Sequence, residues 1–195
     1  MRDIVMIELK AYEIFKDSVA TLKEVSLDTE HGESMINDTV DVINFDRVKR
    51  KYTNQLGHSE NDASSVDALA YNEDTLFFIE FKNGQVKNND IKNKIKDSLL
   101  IFNDIVQKNI SYTRKCAELI IVYNLKSNPM PHQYEKQNSS DSALIGISKH
   151  VAKLAGKEFI RFNTERYQSL YFKAVHTYTV SEFKLFMQDM KIQSV

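Results

Sequence analysis

Asp67, Glu80 and Lys82 are the residues of this chain whose types and spacing could together do chemistry. Glu80 and Lys82 sit one residue apart at the end of a run containing Leu76, Phe77, Phe78, Ile79 and Phe81. Side chains alternate across a strand, so both point to the same face. Asp67 lies before Asn72-Glu73-Asp74, a tight-turn segment that would fold the chain into an antiparallel hairpin. Counting outward from that turn, Tyr71 meets Thr75 or Leu76, and Asp67 meets Ile79 or Glu80. Two carboxylates and an ammonium then converge on an otherwise apolar sheet. Such a cluster is costly unless something neutralises it. Two carboxylates, water and a substrate phosphate suit Mg²⁺, which takes oxygen ligands and keeps several waters. The ion would polarise a phosphoryl oxygen and lower the pKa of a bound water. Lys82 would orient the attacking water and offset the negative charge of the transition state. The plainer alternative is that Lys82 only pairs with Glu80 and Asp67 at a sheet rim. The Asp on the preceding strand, the apolar run into Glu80 and the helix after it favour the metal site.

The elements that must position these residues are legible in part. Apolar residues from Ile4 to Val25 recur at helical spacing, with Lys10, Glu13, Lys16, Lys23 and Glu24 off the stripe, predicting one amphipathic helix. Ser26 to Asn37 reads as a loop, Val40 to Phe45 as a short strand, and Gln55 to Ser64 as a surface loop. Ser65 to Tyr71 and Thr75 to Lys82 are the hairpin strands, the second apolar on both faces and therefore central in its sheet. Asp90 to Val106 is a helix with Ile91, Ile95, Leu99, Phe102 and Val106 on one face. Leu119 to Tyr123 is a buried strand, and Asn124 to Ser142, holding both prolines, an extended loop. A helix over Ile147 to Ala155, a short strand near Glu158 to Phe162 and a helix over Ser181 to Met190 complete the chain.

Asp67, twelve residues, and then Glu80-Phe81-Lys82 resembles the motif of the PD-(D/E)XK nuclease superfamily. The proline expected before the aspartate is Val66 here. The resemblance implies an α/β fold with a restriction-endonuclease-like core: a central mixed sheet flanked by helices in the order α-β-β-β-α-β. That core would span residues 4–124 of a single domain covering 1–195, with C-terminal α/β additions over 125–195. It also implies a Mg²⁺-dependent phosphodiesterase, with Mn²⁺ able to substitute. Asp67 and Glu80 would ligate the metal, Lys82 would be the catalytic lysine, and the main-chain carbonyl of Phe81 would be a further ligand. Members of the superfamily also use a carboxylate from the first helix. Glu8, about 60° from the centre of the apolar stripe at helical spacing, is the best placed candidate.

Composition narrows the setting. The chain has 195 residues, enough for one domain with a proper core, and a formal net charge of -1. That balance argues against a protein coated in positive field, although not against a local basic track. Arg47, Lys49, Arg50 and Lys51 form one candidate phosphate-contacting group, and Lys87 and Lys92, with Lys94 and Lys96, a second. Cys116 is the single cysteine, so no intramolecular disulfide can form, and its place before an apolar run predicts a buried, inert thiol. No apolar run approaches the roughly 18 to 20 residues that span a bilayer. Glu8 and Lys10 interrupt any signal-peptide core, so a cytoplasmic protein is expected. The five histidines lack zinc spacing, and no phosphate-cradling glycine loop is present.

Two functions follow as expectations. One is a nuclease acting on nucleic acid, DNA in the first place, in a phage, mobile-element or defence setting, with a homodimer as one means of cutting both strands. The other is a catalytically silent module of the same fold, acting through a protein partner as a binding or immunity protein.

Overall fold

The strand that ends in Glu80-Phe81-Lys82 organises the molecule. The computed structural model describes residues 8–29, 31–130 and 159–190. Among them, a six-stranded mixed sheet runs in the order β1 (Val19–Thr21), β4 (Asp41–Asn44), β5 (Ala68–Tyr71), β6 (Leu76–Lys82), β7 (Ala117–Tyr123) and β8 (Ala174–Thr179). The neighbours β1, β4, β5 and β6 pair antiparallel, whereas β6, β7 and β8 are parallel. A small separate ribbon joins β2 (Leu27–Asp28) to β3 (Glu33–Ser34). The expected central place of β6 is met, with every residue from Leu76 to Phe81 buried.

Alternation along the strands sorts the core into two layers. One holds Leu69, Leu76, Phe78, Leu119 and Ile121, covered by α3 (Phe45–Gln55) and α4 (Asn88–Ile105) through Phe45, Val48, Ile91, Ile95, Leu99 and Phe102. The other holds Ala70, Phe77, Ile79, Phe81, Ile120 and Val122, covered by Leu22 of α2 (Leu22–Val25) and by Phe183 and Phe186 of α6 (Val180–Met190). Phe78 is the hub of the first layer, with ring contacts to Phe45, Phe102 and Phe172 at centroid distances of 6.3, 5.4 and 5.5 Å.

The hairpin forms as its sequence predicts. Ala68 pairs with Ile79 and Tyr71 with Leu76. The Asn72 side-chain oxygen accepts hydrogen bonds from the Asp74 and Thr75 N–H groups at 3.1 and 2.9 Å, closing the turn. α4 then crosses over to β7, whose whole length pairs with β6, from Leu76 opposite Ala117 to Lys82 opposite Tyr123.

Two expectations fail here for physical reasons. The single helix over Ile4 to Val25 is replaced, in its described part, by a 3₁₀ turn at Leu9–Ala11, α1 (Glu13–Lys16), the strand β1 and then α2. The Ser18 hydroxyl donates back to the Ile14 carbonyl at 2.7 Å where α1 ends. Val19 pairs with Ile43 across the sheet, and Thr21 with Glu24 forms a capping box that starts α2. Pairing with β4 overrides the helical spacing, which a buried strand tolerates. The charged stretch after β4 is the helix α3, its Asn44 cap accepting from the Arg47 N–H at 2.9 Å. The strand expected near Glu158 to Phe162 does not form in its described part: Phe162 and Asn163 take φ of 61° and 55°, which an extended run cannot contain. The strand of that region is β8, and the helix expected over Ile147 to Ala155 lies outside the described residues. α5 (Ile110–Cys116) is also unforeseen, while α4, β7 and α6 lie where the periodicity places them.

Cys116 is buried and outside any disulfide, its Sγ 3.2 Å from the Tyr112 carbonyl, and burial pushes its thiol pKa up. No helix among the described residues is long and apolar enough to cross a membrane.

Replacing Phe78 with alanine empties the contact between three aromatic rings at a fully buried site. The expected loss is about 3–5 kcal/mol of unfolding free energy, read by urea denaturation.

Candidate metal and active site

Asp67 is the residue immediately before β5, and the hairpin register carries it to the level of Glu80. Its own N–H donates to the Ile79 carbonyl at 3.1 Å, extending the ladder by one step. Its carbonyl accepts from the Phe45 N–H at 3.0 Å, so Asp67 is held between β6 and the start of α3. Alternation turns its side chain to the layer that also receives Glu80 and Lys82. The sequence-level expectation that these three side chains converge is therefore met.

The segment leading into Asp67 is pinned from α4. The Ser64 N–H donates to Asp97 at 2.8 Å, and the buried Val66 N–H to the Ser98 hydroxyl, also at 2.8 Å. One turn earlier on the same helix face, Lys94 reaches into the cluster. Its Nζ lies 3.0 Å from Asp67 Oδ1, 2.8 Å from Glu80 Oε1 and 3.1 Å from Glu80 Oε2. Lys82 Nζ lies 2.8 Å from Glu80 Oε1. The remaining Asp67 oxygen, Oδ2, accepts the Phe81 N–H at 2.6 Å. The sequence groups Lys94 with Lys87, Lys92 and Lys96 as candidate phosphate contacts rather than with the carboxylates. The signal that could have found it is its i, i+4 relation to Ser98, on the helix flank that meets the Asp67 loop.

Glu80 is 1% exposed, and this burial governs the electrostatics. Burial first, and then the neighbouring charge of Asp67, raises the Glu80 pKa from 4.5 to about 7, against the opposing pull of Lys94 and Lys82. Burial also raises the Asp67 pKa, with Asp46 adding to it, while Lys94 and the Phe81 N–H work the other way. For Lys94, burial acts to lower the pKa, but the charges of Asp67 and Glu80 outweigh it and hold the ammonium charged. Glu80 Oε1 makes no hydrogen bond of proper geometry although two ammonium groups lie 2.8 Å away, so its contact with them is charge on charge.

This donor set fits a hard divalent ion. One cationic centre already lies between Asp67 Oδ1 and both oxygens of Glu80, so the two carboxylates are spaced to share a cation. Glu80 Oε1 is a buried acceptor short of a hydrogen bond. The donors are oxygens, as Mg²⁺ requires, and a strand residue's carbonyl points to the same edge as its N–H, so that of Phe81 faces Asp67. No group of three His, Cys, Asp or Glu side chains that could hold a metal occurs among the described residues, so further positions would fall to Phe81, water and substrate.

The other candidates lie elsewhere. Glu8 is exposed, and its charge acts on the Tyr71 hydroxyl, whose pKa is raised by burial and then by Glu8. Tyr71 is at the turn end of β5, four residues or about 13 Å of strand from Asp67, so Glu8 does not join the cluster. The basic residues of α3 are engaged within the fold. Arg47 donates to the Val19 carbonyl at 3.0 Å, Lys51 to that of Asp17 at 2.9 Å, Arg50 pairs with Glu60 at 2.8 Å, and Lys49 stands 3.7 Å from Asp46. Lys87 and Lys92 are exposed at the start of α4. No family model, curated protein or solved structure matches the chain.

Two expectations arise from this geometry. Ser98→Ala leaves the buried Val66 N–H without an acceptor and should cost about 1–3 kcal/mol in urea unfolding, whereas Ser98→Thr should retain most of it. Glu80 also makes stability depend on pH. Its folded pKa of about 7 exceeds the ordinary 4.5, so between these values the folded protein binds more protons than the unfolded chain. Stability in metal-free buffer therefore falls as pH rises from about 4.5 to about 7, and Glu80→Gln flattens that fall. Equal slopes in the two proteins, measured as urea midpoints at several pH values, would mean that Glu80 ionises normally.

Proposed function

We propose that this chain is a Mg²⁺-dependent nuclease that hydrolyses phosphodiester bonds, with DNA as its first substrate class, on a restriction-endonuclease-like core. The observation that carries the reading is the meeting of Asp67, Glu80 and Lys82 on one face of an apolar sheet, with the carboxylates spaced to share a cation. The connectivity supports it: β4, β5 and β6 form an antiparallel meander, α4 follows, and β7 returns parallel to β6. That strand succession is in keeping with the β-β-β-α-β order that the motif implies, with α3 inserted between β4 and β5 and α5 between α4 and β7. The expected leading helix is represented, in its described part, by the short α1 and α2.

Asp67, Glu80 and the Phe81 carbonyl would hold the ion. When bound, Mg²⁺ supplies positive charge that polarises the scissile phosphate and acidifies water. Lys82, tethered to Glu80 and 20% exposed, stands at the rim where it can reach a phosphate oxygen or the attacking water. Its fixed charge stabilises the growing negative charge of the transition state without reorganisation. Asp67 is held at both its amide and its carbonyl, so ligand and lysine keep their spacing as substrate enters.

One observation favours the second reading, a catalytically silent binding or immunity module. Lys94 already neutralises the carboxylate pair, which a protein without metal would need. Cleavage assays on plasmid, linear duplex and single-stranded DNA and on RNA, with Mg²⁺, Mn²⁺ or EDTA, separate the two. The nuclease predicts metal-dependent cutting that Asp67→Ala abolishes and Lys82→Ala slows by roughly 10²–10³. Folded protein that cuts none of these substrates points to the silent module.

A further inference from the structure

Lys94 is the part of the cluster that the proposed chemistry does not use. Its ammonium is the shared cation of Asp67 Oδ1 and Glu80, and it contacts Glu80 Oε1, the buried acceptor that lacks a hydrogen bond. A divalent ion held by these same oxygens would compete with that ammonium for them. With Lys82 also present, the two carboxylates are already balanced by two ammonium groups. Adding a divalent ion without losing one of them leaves an excess of two positive charges in a largely buried site, which Coulomb repulsion opposes. Lys82 contacts Glu80 alone, whereas Lys94 spans both carboxylates, so Lys94 is the group in the way.

Resting on the reading of Asp67 and Glu80 as metal ligands, we infer that Lys94 is a built-in competitor for the metal. It fills the cation position in the metal-free protein, and metal binding expels it toward the solvent-facing side of α4. The site is thus closed by its own ammonium until a divalent ion is abundant enough to displace it. The swing needs only side-chain rotation, because Lys94 already keeps 26% of its side chain exposed.

Amine labelling of the wild-type protein, read by mass spectrometry across a Mg²⁺ or Mn²⁺ titration, tests this directly. Lys94 should label slowly without metal and several-fold faster at saturation, while Lys92 and Lys96 stay constant as internal controls. Calorimetric Mn²⁺ binding should be at least about tenfold tighter in Lys94→Gln than in wild type, with Lys94→Arg no tighter than wild type. Labelling needs no variant, so the inference stays open to refutation even if Lys94→Gln folds poorly. Lys94 that stays protected at saturating metal, an unchanged affinity in Lys94→Gln, or no metal binding by either protein overturns it. Release of Lys94 by metal without cleavage of any nucleic acid leaves this inference standing and sinks the nuclease. Cleavage with Lys94 still protected does the reverse.

Discussion

A carboxylate that is 1% exposed on the central strand of an apolar sheet has to be neutralised, and the arrangement around Glu80 follows from that need. Removing an ion from water costs several kcal/mol even after relaxation, and opposite charge at close range offsets that cost. Two lysines supply it, from different elements. Lys82 comes from the same strand two residues on, and Lys94 from the helix packed over that face. Asp67 adds a second acid to the site, which raises the Glu80 pKa further and gives Lys94 a second contact. The result is two acids and two ammonium groups in balance, with one acceptor of Glu80 lacking a hydrogen bond.

Holding such a cluster requires rigid surroundings, and the apolar layers provide them. Phe78, two residues before Glu80 on the same face, is locked by three aromatic rings. β7 pairs with β6 along its full length, which fixes the direction in which Glu80 and Lys82 leave the strand. α4 covers the same face with Ile91, Ile95, Leu99 and Phe102 and uses its polar flank, Lys94, Asp97 and Ser98, to hold the loop before β5. Asp67 is consequently placed by backbone on one side and by helix side chains on the other. The site sits on strands rather than on a free loop, which keeps its spacing tight.

The two functional readings differ in what neutralises the acid pair when the protein works. In a nuclease the lysine of α4 yields to a divalent ion, and Lys82 remains as a fixed positive charge beside it. In a silent module Lys94 is the permanent partner, and the cluster is a buried ion network that stabilises one packing of α4 on the sheet. Substrate contact in the first case draws little from α3, since Arg47, Arg50 and Lys51 are engaged with Val19, Glu60 and Asp17. The exposed Lys87, which caps the helix that delivers Lys94, and Lys92 in its first turns are better placed to meet a phosphate backbone.

The amino-acid sequence by itself determined the hairpin and the convergence of Asp67, Glu80 and Lys82, and narrowed the register to two choices, of which the structure takes Tyr71 opposite Leu76. Those depend on period-two alternation and a tight turn, which act over a few residues and leave a direct trace in residue types. It also determined α4, β7 and α6, whose apolar spacing agrees with the tertiary environment that they meet. Only the tertiary structure decided that Val19–Thr21 would be a strand, because its apolar spacing suits a helix equally and the choice came from pairing with β4, some twenty residues away. It alone decided that Glu8 would stand near Tyr71 rather than near Glu80, since that follows from breaking the first helix. It likewise turned Lys94 inward and its neighbours Lys92 and Lys96 outward. Three lysines at alternate positions look alike in sequence, and only the docking angle of α4 on the sheet tells which of them meets a buried carboxylate.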